Sequence, residues 1–243
     1  MFAIIRQRLT FLFAMAASAV VLCCGCSDNG IGRAFEELKR AKYGDIIDGA
    51  GDGAGSVVNP KDVKEGTFTD SRDEKIYKTV TIGRQTWMAE NLNYEATDSS
   101  WCYEDSSRYC GIYGRLYNWA AAKSVCDTGW HLPDTSEWRK LVSVAGGPDI
   151  AGGKLKSASG WDDYFGQSGN GANDFKFSAL PGGQRNILGN FYDTGSKGQW
   201  WTATEIDEFQ NSAYLRSMYN NLDQVHEFGV AMGHGLSVRC VKN

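Results

Sequence analysis

The chain has 243 residues, of which 42% are hydrophobic and 22% are charged. This is the composition of an ordinary globular protein, and it excludes a disordered chain or a protein that crosses the membrane many times. The chain has 29 glycines and eight tryptophans but only four prolines, which predicts short strands and turns rather than a helical bundle. A formal net charge of −4 provides no basic surface for a phosphate backbone, so we expect no nucleic-acid partner.

The N-terminal segment has the pattern of an export signal. Arg6 and Arg8 precede an apolar stretch at residues 9–22, which is too short to cross a bilayer comfortably. Residues 1–25 are therefore predicted to be a signal peptide that is removed from the mature protein. The run Cys23-Cys24-Gly25-Cys26 resembles a bacterial lipobox, in which a small residue precedes the cysteine that is acylated.

We predict lipidation at Cys26, which follows Gly25, with Cys24 as the alternative acceptor. Secretion without a lipid and an uncleaved anchor are two further alternatives. Each buried CH₂ group of an acyl chain contributes about 0.8 kcal/mol to membrane binding, so two or three chains anchor a protein almost permanently. The expected location is the cell envelope, at the outer membrane or the cell surface, and the membrane is a partner through the lipid.

A glycine- and aspartate-rich stretch follows. Residues 44–55 carry too little apolar surface to fold alone, so residues 26–66 are predicted to be a flexible tether. Asp48 and Asp52 could offer oxygen ligands to Ca²⁺, but their spacing does not match an EF-hand and the terminal Glu is missing. We therefore expect no cofactor, with calcium as an alternative that no motif supports.

Residues 67–243 are predicted to form one β-rich domain. Residues 76–82 alternate apolar and polar side chains and end at Gly83, so they predict the first strand of a hairpin whose second strand is residues 85–89. Later strands of a twisted antiparallel sheet are expected at residues 175–180, 199–204, 213–219 and 236–241.

Two helices are expected in this domain. Residues 113–125 have apolar side chains on one side and several alanines. The second helix is signalled by Asp134 as its N-cap and by Glu137 three residues later, which together predict a capping box.

Four cysteines remain once the signal and the lipidated residue are set aside: Cys102, Cys110, Cys126 and Cys240. An even number of cysteines in an exported protein predicts two disulfides. Counting alone leaves all three pairings open.

Several ordered blocks then point to a known family. They are Thr86-Trp-Met-Ala-Glu-Asn-Leu-Asn-Tyr94, Tyr113-Gly-Arg-Leu-Tyr-Asn-Trp-Ala120, Gly129-Trp-His-Leu-Pro133, Phe177-Ser-Ala-Leu-Pro-Gly-Gly183 and Ser237-Val-Arg-Cys240. Over about residues 67–243 the chain resembles the Fibrobacter succinogenes major paralogous domain. That family consists of exported proteins, often lipoproteins, and is similar to the C-type-lectin-like fold that formylglycine-generating enzymes also use.

The resemblance implies an α+β fold of the C-type-lectin-like kind, with twisted antiparallel sheets, two helices, long loops and disulfide staples. It also implies a bridge between Cys126 and Cys240, and it leaves Cys102 and Cys110 as a local pair. The tripeptides Glu-Pro-Asn and Gln-Pro-Asp, which carry calcium-dependent sugar binding in true C-type lectins, do not occur in the chain. We therefore do not expect a calcium-lectin mechanism.

Catalysis is not the expected function. An enzyme of the formylglycine-generating kind needs reactive thiolates, and each mature cysteine already has a structural assignment. The three histidines, His131, His226 and His234, are expected to be structural or solvated, with His131 packed or hydrogen-bonded beneath the second helix. The chain has no nucleophile elbow, zinc-protease helix motif or phosphate loop, and we expect no metal site.

The best candidate ligand residue is Trp161, which lies in a polar, glycine-flanked loop where its ring could be exposed. The alternative is that the ring packs and pins this long loop. The predicted ligand-binding residues are Trp161, Asp162, Tyr164, Asn173, Asp174 and Tyr192.

Together these features predict an envelope lipoprotein with a non-catalytic binding or adhesion module. Its expected partner is a polysaccharide, other cell-wall material or a surface protein, because loops on a stapled scaffold are suited to recognition. The alternatives are a divergent formylglycine-generating-type enzyme and a structural envelope protein.

Overall fold

The structure, a computed structural model, describes residues 58–97, 99–207 and 210–243. The predicted signal peptide, the predicted lipidation residue Cys26 and the glycine-rich part of the predicted tether lie outside these residues. The compact unit that contains the described residues spans Ser56–Asn243. It is a mixed α+β domain made mostly of sheet.

The strands of this unit are short. In chain order they are β1 (Lys64–Thr69), β2 (Ile76–Ile82), β3 (Gln85–Met88), β4 (Ser100–Trp101), β5 (Leu116–Tyr117), β6 (Trp130–His131), β7 (Gly182–Arg185), β8 (Phe191–Thr194), β9 (Lys197–Glu205), β10 (Ser212–Tyr219), β11 (His226–Ala231), β12 (Leu236–Ser237) and β13 (Val241–Lys242).

The strands are arranged in two main sheets. One sheet has the order β1-β2-β3-β13-β6 and the other has the order β11-β10-β9-β12-β5-β4. Neighbouring strands are antiparallel except β12 and β9, which run parallel, while β7 and β8 pair as a separate hairpin. Because β13 lies between β3 and β6, the beginning and the end of the domain meet in one sheet.

The described helices are α1 (Ser107–Tyr113), α2 (Trp119–Ala122), α3 (Thr135–Val144) and α4 (Ala151–Leu155). The capping box predicted for α3 is confirmed, because the Asp134 side chain accepts from the Glu137 N–H at 2.8 Å and Glu137 accepts from the Asp134 N–H at 2.9 Å. Each helix in the described ranges falls short of the length and apolar character of a membrane span.

The predicted helix over residues 113–125 is wrong for most of its length. Gly114 has a φ of 74° and ends α1, and the next two residues after Arg115 form β5. The Arg115 N–H donates to the Leu92 carbonyl at 3.0 Å, so a tertiary hydrogen bond replaces a helical one. Only the single turn of α2 forms, capped by the Asn118 side chain.

The predicted strand at residues 175–180 is also wrong, although the predicted hairpin β2–β3 is confirmed. Lys176 and Ser178 have φ values of 56° and 54°, which are left-handed conformations that an extended strand cannot contain. Phe175 and Phe177 are nevertheless buried. The segment is therefore part of the core without being a strand.

Tryptophan rings fill the core. The ring of Trp138 on α3 lies 4.9 Å from Trp87 on β3 and 6.1 Å from Trp200 on β9, and Phe177 packs edge-on against Trp87. Such aromatic pairs add about 0.5–1.5 kcal/mol each beyond the burial of their area. This cluster holds α3 against the sheets.

Both disulfide pairings implied by the family resemblance are confirmed. Cys126, which follows α2, is bonded to Cys240 next to β13 across 114 residues of chain. Cys102 and Cys110 close a loop of sequence separation 8. The long bridge joins the middle of the domain to its C-terminal end, and the short one stiffens the segment that leads into α1.

Candidate functional site

A groove of about 250 Å³ lies where β2, the segment after β3 and α1 come together. Its lining residues are Lys75, Ile76, Tyr77, Glu90, Asn91, Asn93, Cys110, Gly111, Ile112, Gly114 and Leu180. We call this feature the α1 groove. One wall of the groove is α1, and the opposite wall is the polar segment that follows β3.

The α1 groove depends on a close approach of two backbones. A Cβ atom on Gly114 would lie 2.7 Å from the Leu92 carbonyl oxygen and 2.9 Å from the Asn91 Cβ atom, distances that real Cβ atoms do not tolerate. Only glycine fits there, because it also accepts the positive φ without strain. This turn presses the end of α1 against residues 91–92 and defines the wall of the groove.

The walls of the groove combine apolar side chains with hydrogen-bonding groups. Ile76 is 68% exposed and Ile112 is 46% exposed, so both offer aliphatic surface to solvent. The Lys75 ammonium donates to the Asn93 carbonyl at 2.7 Å, and the Glu90 carboxylate accepts from the Lys78 N–H at 2.7 Å. A mixed surface of this kind suits a neutral ligand that has both apolar faces and hydroxyl or amide groups.

Beneath the groove lies a buried polar network centred on Asn91. Its Oδ1 atom accepts from Arg239 Nε at 2.9 Å and from Trp200 Nε1 at 2.9 Å, and its Nδ2 atom donates to the Tyr113 carbonyl at 2.8 Å. Arg239 is fully buried and also donates to the carbonyls of Phe177 and Ser178. Burial lowers the pKa of Arg239 to about 9, so the guanidinium is still charged at neutral pH.

A run of aromatic rings begins at Tyr113, the last residue of α1. The rings of Tyr113 and Tyr109 are 6.2 Å apart, those of Tyr109 and Tyr103 are 5.3 Å apart, and those of Tyr103 and Phe191 are 5.2 Å apart. All of them except the buried Tyr103 are partly exposed. We call these four residues the ring run.

The ring run ends at a cation. The Arg185 guanidinium lies 5.8 Å from the centre of the Phe191 ring and 4.2 Å from that of Trp101. Cys102 and Cys110 are direct neighbours of Trp101, Tyr103 and Tyr109 in the chain. The short disulfide therefore fixes several rings of one surface, and Cys110 also lines the α1 groove.

Trp161, the leading candidate from the sequence, is only 4% exposed. Its indole Nε1 donates to the Ser157 hydroxyl at 3.1 Å and to the Ala179 carbonyl at 3.0 Å. The ring thus joins the two ends of the long loop, as expected if the ring packs and pins this loop. In this conformation its face is not available to a ligand.

Asp162 lies close to the ring run. The Asp162 N–H donates to the Gly195 carbonyl at 2.8 Å, which brings this loop to the turn after β8. Burial is the main cause that raises the pKa of Tyr113, and the negative charge of Asp162 is the second. The structure therefore brings Asp162, a predicted ligand-binding residue, close to Tyr113. Tyr113 belongs to a family block but was not among the predicted ligand-binding residues.

The other predicted residues are dispersed. Tyr192 is 47% exposed and follows Phe191 of the ring run on β8. Tyr164 stacks edge-on with Phe165, which is 91% exposed at a turn. Asn173 is used in a separate local turn, where its side chain accepts from the Ser178 N–H at 2.9 Å, and its neighbour Asp174 is half-buried there.

The histidines have structural surroundings. As predicted, His131 is hydrogen-bonded at the start of α3: its Nε2 atom lies 2.9 Å from a Glu137 oxygen and its Nδ1 atom lies 2.6 Å from Asn243 Oδ1. His226 stacks on Phe228. In the part of the chain that the structure describes, no three His, Cys, Asp or Glu side chains are grouped so that they could hold a metal ion.

The sequence reasoning missed the α1 groove and the ring run. A usable signal was present, because aromatic residues flank both cysteines of the short disulfide in Trp101-Cys102-Tyr103 and Tyr109-Cys110. The bridge between these cysteines brings their Cα atoms to 4.9 Å, so the flanking residues lie close together.

Comparisons with known proteins agree with the motif blocks. The model of the Fibrobacter succinogenes major domain matches residues 80–242, which include the α1 groove segments from Glu90 onward and the whole ring run. No curated protein and no solved structure matches the chain. Because the match covers most of the sequence, the chain belongs to the Fibrobacter succinogenes major domain family.

Proposed function

We propose that this protein is an exported lipoprotein, anchored through Cys26 at the outer membrane or the cell surface, whose domain is a non-catalytic binding module for carbohydrate. The observation that carries the proposal is the α1 groove beside the ring run, which share helix α1 and are braced there by the bridge between Cys102 and Cys110. Sugar rings have apolar faces and hydroxyl edges. Partly exposed aromatic and aliphatic side chains match the apolar faces, and the neighbouring amide and carboxylate groups match the hydroxyl edges.

The proposed fold of the module is C-type-lectin-like. The bridge from Cys126 to Cys240 supports this assignment, as does the position of β13 beside β3. In this arrangement long loops lie outside the sheets and are free to vary while the scaffold stays braced.

A non-catalytic role is supported by the state of the sulfur atoms. Cys102, Cys110, Cys126 and Cys240 are all in disulfides, and a disulfide sulfur is not a thiolate nucleophile or metal ligand. A formylglycine-generating-type activity would require free thiols in the mature protein. Labelling of the native protein with a thiol reagent should therefore detect none, and one reactive pair would favour the enzyme.

Retention on insoluble polysaccharides tests the binding function. The mature domain is passed over cellulose, xylan and isolated cell-wall material, with calcium or with a chelator. We expect retention on at least one polysaccharide in both buffers, because the groups described above need no metal. No retention on any material would favour a structural envelope protein.

Matched variants separate the two candidate surfaces. Tyr109→Ala should weaken retention at least about fivefold, since truncation of an aromatic hot-spot residue at a binding surface costs more than about 1 kcal/mol. Tyr164→Ala, which removes a similar half-exposed ring from the long loop, should retain binding. The opposite result would move the site to the loop that the sequence analysis favoured.

Metabolic labelling with a fatty acid tests the anchor. Cys26→Ser should abolish lipid incorporation and Cys24→Ser should not. Labelling that depends on Cys24 instead would change the acceptor, and labelling of neither would contradict the anchor.

A further inference from the structure

One buried cation is not used by the α1 groove or the ring run. Lys156 follows α4 directly and is only 2% exposed. Its Nζ atom donates to three backbone carbonyls, those of Gly169 at 3.0 Å, Tyr219 at 3.1 Å and Leu222 at 3.1 Å. We call these three oxygens the carbonyl cage.

The carbonyl cage joins three separate parts of the chain. Gly169 lies in the long loop of residues 157–180, Tyr219 ends β10, and Leu222 lies in the turn that follows β10. Without a donor at its centre, each oxygen would be left without this hydrogen bond, at a cost of about 1–3 kcal/mol per buried unsatisfied group. An ammonium group has three N–H donors, so it matches the cage in number.

The surroundings favour a cation at this point. The Trp161 ring centre lies 5.3 Å from Nζ, within the range of a cation–π contact, and the negative charge of Asp223 acts on the ammonium. Burial lowers the pKa of Lys156. Gly171 packs so closely that a Cβ atom there would lie 2.6 Å from the Lys156 Cβ atom, so the loop backbone lies directly against the start of the Lys156 side chain.

We propose that the carbonyl cage is a cation-binding site that the chain fills with its own Lys156 ammonium, and that this internal cation holds the long loop on the end of β10. Oxygen ligands of Ca²⁺ lie at about 2.3–2.6 Å and number six to eight. The cage has three oxygens at hydrogen-bond distance from a nitrogen. Three oxygens are fewer than Ca²⁺ coordinates, and they match the three donors of an ammonium group.

Chemical rescue tests this proposal on the folded mature domain. Lys156→Ala removes the ammonium and its stem and leaves space for a small cation, while Lys154→Ala, on the helix that precedes Lys156, is the control. The readout is hydrogen exchange of two loop amides, Gly171 and Ala172, which donate to Ser157 and Gly153 carbonyls. We expect these amides to exchange at least about tenfold faster in Lys156→Ala and at the parent rate in the control.

The added cation identifies what the cage requires. Methylammonium should restore slow exchange in Lys156→Ala in a saturable way, because it supplies N–H donors of the right size. Tetramethylammonium at the same ionic strength has the charge without the donors and should not. Parent-like exchange in the variant, or equal rescue by both salts, would overturn the proposal.

The unaltered protein provides a second measurement if the variant does not fold. Reductive methylation of the parent domain should modify Lys154 and Lys176 and leave Lys156 unreacted, and Ca²⁺ or a chelator should not change the exchange of the loop amides. Methylation of Lys156 at the rate of Lys154, or calcium-dependent protection of the loop, would contradict an internal cation. Neither result depends on which ligand the domain binds.

Discussion

Asn91 and Arg239 are 148 residues apart in sequence, and their side chains are joined by a hydrogen bond of 2.9 Å in the centre of the domain. The same Asn91 oxygen accepts from Trp200 Nε1. Asn91 belongs to the block after β3 and Arg239 to the block before the last cysteine, so two family blocks meet directly. The contact places a buried charge directly under the α1 groove.

Removal of Asn91 should therefore destabilise the domain strongly. Asn91→Ala leaves the Arg239 Nε and the Trp200 Nε1 without their acceptor, and each buried donor left unsatisfied costs about 1–3 kcal/mol. Asn221→Ala, at an exposed turn, should change the free energy of unfolding by less than about 0.5 kcal/mol. Urea unfolding monitored by tryptophan fluorescence measures both, and equal stabilities would refute the role given to Asn91.

The two disulfides should contribute unequally to stability. In the chain-entropy model a closed loop of about 100 residues contributes about 4.7 kcal/mol and one of about 15 residues contributes about 3 kcal/mol. The double variant of Cys126 and Cys240 to alanine should therefore lose about 5 kcal/mol, and that of Cys102 and Cys110 less than about 3 kcal/mol. Equal losses in urea unfolding would show that native contacts rather than loop length set the contributions.

The short disulfide should matter more for binding than for folding. If the polysaccharide ligand is found, the Cys102/Cys110 double alanine variant should remain folded by circular dichroism but lose retention, because Tyr103 and Tyr109 are no longer held together. Full retention by this variant would show that the ring run is not part of the binding site.

His226 should make the domain less stable in acid. Burial lowers the pKa of His226, and its Nε2 atom has no hydrogen-bond partner among the described residues. The unfolded chain therefore binds a proton at a higher pH than the folded domain, and stability falls as the pH drops below about 6.5. His226→Phe should flatten the pH dependence of the unfolding free energy between about pH 7 and pH 5. His234→Gln should keep it, and an unchanged slope in His226→Phe would contradict the assignment.

The sequence alone was sufficient for features that depend on local chemistry. The capping box of Asp134 and Glu137 and the β2–β3 hairpin formed as predicted, because their determinants lie within a few residues of each other. Both disulfides followed from the ordered blocks of the family.

Features that depend on distant contacts could not be predicted in this way. The helix expected at residues 113–125 breaks at Gly114 because the Leu92 carbonyl takes the next N–H. Trp161 is buried because Ser157 and Ala179, at the two ends of its loop, both accept from its indole. Neither Leu92 nor Ala179 can be identified from the local pattern around its donor.

The export pattern and α3 thus follow from short-range rules of composition and spacing, while the family and the disulfide pairing follow from the resemblance of the ordered blocks. The α1 groove, the ring run, the carbonyl cage and the network of Asn91 and Arg239 exist only when the chain is folded. Each is assembled from segments far apart in sequence, and hydrogen bonds between such segments carry no periodicity that a linear pattern could record.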